Sequence, residues 1–233
     1  FRVGESPVRS SDLFAGEFYD AGMEQDGWDC AGFNDSEWKR GVLMESESFG
    51  HLKAQYGEPV RPVRELPPVN LYKSPKLAVN RRCFPYCRTR LTLDHFEETD
   101  RDGNYVNTIL GSDASGHHQK DVFLSAGKPQ RYTPHFTYHG FRYVRVTCDV
   151  PVRAEDFTAV VWSTDNEDLG TFETSNEMIN RLYENTRWSQ RSNMVSIPTD
   201  CPQREKAGWT GDIQIYARTS LLNENTTPFL TRW

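Results

Sequence analysis

The hydrophobic period changes once along this chain, and that change limits the folds open to it. Up to about residue 171 the apolar residues come in short runs that alternate with polar ones. Beyond it they recur with helical spacing. Arg88-Thr89-Arg90-Leu91-Thr92-Leu93 alternates as a half-buried strand does, and Phe157–Trp162 is dense in β-formers. Phe141–Val146 alternates as well, but with an Arg on each face. Neither face is cleanly apolar, which predicts a segment between two packed surfaces. Residues 1–64 carry no helical run; Gly, Asp, Ser and Pro punctuate short apolar pieces. There Gly27-Trp28 and Trp38 are expected as core or edge aromatics, and Asp20 as a structural residue. Past residue 171, Met178, Ile179, Leu182 and Tyr183 form one helical stripe, and Ile213, Tyr216, Ala217 and Leu221 a second. Ser175 or Asn176 is expected to cap the first helix, with Glu177 in its first turn, and Asp212 to cap the second.

Between the β-type stretches, Pro59, Pro62, Pro67 and Pro68 crowd together. That density predicts a break in regular structure, a linker or strap. The chain divides accordingly into residues 1–64, residues 65–171 and residues 172–233. Asp100–Asn104 is a strong turn signal, and Gly111–Gly116 a second loop.

A hydrophobic content of 36 % with 26 % charged residues is globular and not disordered. A net charge of -6 leaves no basic surplus for phosphates, which argues against nucleic acid as a partner. No apolar run reaches the length of a membrane span. Residue 1 is a Phe and not a Met, so the natural N-terminus is expected to lie upstream. The five cysteines are odd in number and irregular in spacing, which speaks for reduced thiols. Cys83 and Cys87 make a poor zinc signature without a second pair. His117 and His118 are adjacent and point to opposite sides if extended, and no acid clusters near His135 and His139 in sequence, so all four are read as structural or surface histidines. No metal and no organic cofactor is expected.

The stretch Asp200–Asp212 is where the chemistry gathers. It holds three carboxylates (Asp200, Glu205, Asp212), the guanidinium of Arg204 and the indole of Trp209. Pro202, Gly208 and Gly211 keep it out of a helix interior. Carboxylates accept from hydroxyls and an indole covers the apolar face of a ring, so a sugar is the ligand such a loop suits. The plainer alternative is solvated charge in Arg204-Glu205-Lys206. If Glu205 works as an acid, burial or a neighbouring carboxylate must lift its pKa; Arg204 and Lys206 would oppose that if they point inward. Cys201 has no adjacent His and is read as a packing residue.

This stretch, Asp200-Cys201-Pro202-Gln203-Arg204-Glu205 followed by Gly208-Trp209-Thr210-Gly211-Asp212, resembles the active-site signature of the bacterial alpha-L-rhamnosidases. Pro134–Val144 is similar to that family's strand upstream of the catalytic domain. Gly16–Asp20 with Gly27-Trp28 is similar to its N-terminal sandwich. The resemblance implies a multidomain fold: two mainly antiparallel β-sandwich regions followed by the first helices of an (alpha/alpha)6 barrel. It implies inverting hydrolysis of terminal L-rhamnose, with Glu205 as general acid and Asp200 and Asp212 holding sugar hydroxyls. Arg204 falls in the sugar-binding part of the motif, and Trp209 is expected as part of a wall toward the sugar methyl group. The family's general base is a second Glu far downstream, and nothing here matches it; Glu224 lies a helix length beyond Asp212 and is not promoted. With two long helical segments the barrel cannot close, so the chain reads as a fragment with little activity alone and with the apolar faces of its two helices exposed. The partner implied is a rhamnose-containing glycoside or oligosaccharide, and homo-oligomer formation stays open. Residues Ala78–Cys87 depart from the family's usual strand near the start of the second sandwich. Two other readings remain: a non-catalytic carbohydrate-binding protein, and another glycosidase or lyase on a related helical barrel.

Overall fold

The structure, a computed structural model, describes residues 1–42, 53–72, 88–106 and 119–233. The expectations for Ala78–Cys87, for Gly111–Gly116 and for His117-His118 lie outside the described residues.

In chain order the strands are β1 (Arg2–Val3), β2 (Val8–Asp12), β3 (Gly16–Asp20), β4 (Lys39–Arg40), β5 (Val60–Leu66), β6 (Arg90–Phe96), β7 (Glu98–Thr99), β8 (Tyr105–Val106), β9 (Lys120–Leu124), β10 (Tyr143–Cys148) and β11 (Ala159–Thr164). Then follow helix α1 (Glu177–Asn193), the small strands β12 (Met194–Val195) and β13 (Ile197–Pro198), and helices α2 (Thr210–Asn223) and α3 (Thr227–Arg232). The fold is therefore mainly β-sheet followed by helices, as the change of period predicts.

The principal sheet has the order β10-β6-β9-β3-β2. Its pairs are antiparallel except β3 with β9, which run parallel. Two of its strands come from the first 64 residues and three from beyond, so the sheet spans the junction between the two β stretches. Strand β10 lies at its edge. Its Arg145 is spent on the buried Asp94, 3.0 Å away, and on the ring face of Tyr105. That explains an arginine on a strand face with no apolar side. The Asp100–Asn104 turn forms as expected, with Gly103 at φ 78 and Asp100 Oδ1 accepting from the Asp102 and Asn104 amides.

The proline-rich stretch corrects the sequence reading. Residues Val60–Leu66 are a strand, paired antiparallel with β11. Pro62 is accommodated there because, among the described residues, β5 pairs on one side only, and the register shifts between Val161 and Trp162 where Pro62 pairs. Of the two readings for Trp28, core or edge aromatic, its 62 % exposure excludes the core. Asp20 is structural as expected: its carboxylate accepts from the Gly22 amide and pairs with Arg88.

Asn176 caps α1, its side chain accepting from the amides of Met178 and Ile179, and Glu177 stands in the first turn. Helix α2 starts earlier than expected. Trp209 is the extended residue before it, so Asp212 sits inside the first turn and is not the cap. The stripe of α1 lies open, as expected for a barrel helix without its partners: Met178 is 82 % and Leu182 65 % exposed, while Arg187 and Gln190 are buried. On α2, Ile215, Leu221 and Leu222 are exposed and Ser220 and Asn223 buried. The helices meet through polar groups. Gln190 Oε1 accepts from Asn223 Nδ2 at 3.0 Å, and the Tyr216 hydroxyl donates to the Thr186 carbonyl at 3.0 Å.

Candidate active site

The loop between β13 and α2 is built by its own backbone. At its start the Thr199 amide donates to the Asn193 carbonyl at 2.8 Å, tying it to the end of α1. Asp200 and Ala207 close it: the Asp200 amide donates to the Ala207 carbonyl at 3.0 Å, and the Ala207 amide to Asp200 Oδ1 at 3.1 Å. One turn further in, the Lys206 amide donates to the Cys201 carbonyl at 3.2 Å. Lys206 takes φ 48, the left-handed region, which a residue with a Cβ enters at some cost.

Four of the five expected site residues come together through this closure. Glu205 Oε1 accepts from Arg204 Nη2 at 2.8 Å, and its Oε2 from the indole N–H of Trp209 at 2.9 Å. Trp209 is 54 % exposed. Asp200 is joined to the same group by sulfur. The Cys201 thiol donates to Asp200 Oδ2 at 3.1 Å, and the Glu205 amide donates to Cys201 Sγ at 3.3 Å. Burial pushes the Asp200 carboxyl up, but the Cys201 thiol and the Ala207 amide outweigh it and hold the group below the usual carboxylate range. Asp212 stands apart on the exposed first turn of α2, with no hydrogen bond or ion pair to the other four. Cys201, read from sequence as packing, is thus a hydrogen-bonding link between two candidate site residues. No sequence signal short of the motif itself marks it.

Lys206 also departs from expectation. It does not face Glu205. It is 4 % exposed, and its ammonium donates to the carbonyls of Leu13 and Tyr138, each at 2.6 Å, over the Tyr138 ring. Burial pushes it down to about 8, against the pull of Asp121, Asp12 and Cys201. Burial likewise pushes the Tyr138 phenol up to about 12. Two further ties fasten the loop to the sheet region. The Gly140 amide reaches the Pro202 carbonyl at 3.1 Å, and Gln203 Nε2 donates to Glu97 Oε2 at 3.3 Å. The approach at Gly140 is too close for a side chain: a Cβ there would lie 2.7 Å from Pro202 Cγ and 2.9 Å from the Gln203 nitrogen.

Beneath the loop, acids do cluster with the histidines, contrary to the sequence reading, because they arrive from other strands. Glu17, 1 % exposed, accepts from the Tyr132 hydroxyl at 3.1 Å and from the His135 amide and lies 3.0 Å from His135 Nδ1. His139 Nε2 lies 3.0 Å from Asp121 Oδ2. His95, Asp121 and His139 bring potential metal-ligand atoms within 4.8 Å of one another. Their geometry fits a hydrogen-bonded cluster better than a shared ion. The two imidazoles stack with centroids 4.3 Å apart. Asp121 Oδ1 also takes the Glu17 amide, and His95 Nδ1 faces the Gln119 carbonyl. Burial, then the neighbouring His139, pushes His95 down to about 4. A cavity of about 410 Å³ lies elsewhere, lined by Arg64, Asp168, Trp188, Arg191 and Glu224 among others, and none of the five loop residues lines it.

Three family models match the chain in series. The alpha-L-rhamnosidase N-terminal domain matches residues 1–64, the bacterial alpha-L-rhamnosidase concanavalin-like domain residues 86–163, and the bacterial alpha-L-rhamnosidase 6 hairpin glycosidase domain residues 167–233. The chain belongs to the bacterial alpha-L-rhamnosidase family. An alpha-L-rhamnosidase of Streptomyces avermitilis is 34 % identical over 249 residues, which cover 100 % of this chain and 24 % of that protein. One from Formosa agariphila is 30 % identical, covering 98 % of this chain and 26 % of its own length. Among solved structures, the alpha-L-rhamnosidase from Dictyoglumus thermophilum superposes with a TM-score of 0.87 at 30 % identity, over 98 % of this chain and 27 % of its own. The Streptomyces avermitilis enzyme complexed with L-rhamnose superposes with a TM-score of 0.83 at 32 % identity, over 100 % of this chain and 24 % of its own. The chain thus spans about a quarter of the length of the curated rhamnosidases it matches.

Proposed function

We propose that this chain supplies the acid side of an alpha-L-rhamnosidase that hydrolyses terminal non-reducing alpha-L-rhamnose with inversion. The observation that carries the reading is the closed loop in which Glu205 is gripped by Arg204 and Trp209 while Cys201 links it to Asp200. Glu205 is the general acid: it protonates the glycosidic oxygen as the bond to the sugar breaks. Asp200 stays ionised and accepts from rhamnose hydroxyls, with Asp212 as a second acceptor from the start of α2. Arg204 orients Glu205 and donates to the sugar, and the exposed ring of Trp209 forms a wall for its apolar face. An inverting hydrolase needs a second carboxylate roughly 6.5 to 9.5 Å from the acid, to deprotonate the attacking water. Asp200 and Asp212 are assigned here to the sugar hydroxyls, so the base is assigned to the rest of the helical domain. In this assignment residues 172–233 open the catalytic domain, and residues 1–64 and 65–171 are the β domains that precede it.

The test is product stereochemistry. A polypeptide carrying this chain, extended to the length of its relatives, is given para-nitrophenyl alpha-L-rhamnoside and the reaction followed by proton NMR. The reading expects chromophore release with beta-L-rhamnose as the first sugar formed. No release from a folded protein, or the alpha anomer first, refutes it.

A further inference from the structure

Glu205 and Lys206 are consecutive, and their side chains part. Glu205 turns to the exposed side with Arg204 and Trp209; Lys206 plunges into the β region. Its ammonium is shared between two carbonyls that belong to different parts of that region. Leu13 sits between β2 and β3, and Tyr138 precedes β10. Both contacts are short and charge-assisted, at 2.6 Å, and the ring of Tyr138 lies 4.7 Å from the ammonium. The left-handed backbone at Lys206 is what lets one residue reverse direction here. Pro202 and Gln203 on the other limb of the loop are tied to the same region at Gly140 and Glu97. The acid is therefore positioned less by its own helices than by the sheet region beneath it.

Resting on the assignment of Glu205 as general acid, we infer that Lys206 is a positioning residue, which fixes that acid by pinning its loop to the Leu13 and Tyr138 carbonyls. The β domains are then part of the catalytic apparatus. Proton donation depends on placement: a displacement of about 1 Å costs on the order of 10²-fold in rate. The dependence has a chemical signature. A poor leaving group needs the proton; a dinitrophenolate leaves without it.

The experiment compares wild type, Lys206→Met and Lys206→Arg in the extended polypeptide, on methyl alpha-L-rhamnoside and on 2,4-dinitrophenyl alpha-L-rhamnoside, with melting curves alongside. The expected result for Lys206→Met is a kcat loss on the order of 10²-fold on the methyl glycoside and under about 3-fold on the dinitrophenyl glycoside. Lys206→Arg, which still offers two donors, recovers most of the loss. Equal losses on both substrates from a folded Lys206→Met protein overturn the positioning role while leaving the acid assignment standing. If Lys206→Met does not fold, Gly140→Ala is read the same way, since its Cβ presses on the Pro202 limb of the loop. A wild type that cleaves neither substrate brings down the hydrolase reading, and this one with it.

Discussion

The sheet region and the helical pair handle buried polar groups in opposite ways. Around the sheet, Glu17 and Asp121 are each 1 % exposed, and aromatic rings close over them: Tyr19 stacks on His135, and Phe123 on Tyr132. Every oxygen of these two carboxylates has a donor. In α1 and α2, Arg187, Gln190, Ser220 and Asn223 are buried, while Met178, Leu182, Ile215 and Leu222 are exposed. The sheet region hides its charges inside its own apolar shell, whereas the helices hide their polar faces from solvent and leave apolar ones open, the pattern of helices built to be covered. The candidate loop set between them is tied to the sheet region through Lys206, Pro202 and Gln203.

Three changes probe that contrast. Glu17→Ala has the largest expected effect, because it removes a buried carboxylate that accepts from the Tyr132 hydroxyl and the His135 amide. Loss of one member of such a network costs roughly 3 kcal/mol, measurable by urea unfolding. Acid should act almost as strongly through His95. Its folded pKa of about 4 lies below the unfolded value, so between the two only the unfolded chain takes up the proton. Stability is complete above about pH 6.5 and falls as pH drops toward 4, by roughly 3 kcal/mol in all. His95→Gln should flatten that slope in melting curves taken across the range. Leu182→Ser, on the open face of α1, should change stability by no more than about 0.5 kcal/mol. A Leu182→Ser penalty matching that of Glu17→Ala would abolish the distinction between the two regions.

Much of this architecture was legible because it rests on local periodicity. The switch from strands to helices near residue 171, the cap at Asn176 and the turn at Asp100–Asn104 are short-range signals, and each appears where the residues put it. The failures are long-range. Pro62 looked like a strand breaker because its partner, β11, lies about a hundred residues on. In the loop, the motif pointed to Glu205, Arg204, Trp209, Asp200 and Asp212. It could not show that Lys206 turns away from them, since that depends on a left-handed backbone at one residue and on carbonyls at Leu13 and Tyr138.

The most direct test of the account is the rate of para-nitrophenyl alpha-L-rhamnoside hydrolysis by the extended polypeptide, wild type against Glu205→Gln. The substitution keeps the shape of the side chain and removes its ability to donate the proton. The account predicts a loss of roughly 10²- to 10⁴-fold in kcat/KM with an unchanged melting temperature. Near-wild-type turnover by Glu205→Gln would show that the loop around Cys201 does not hold the acid.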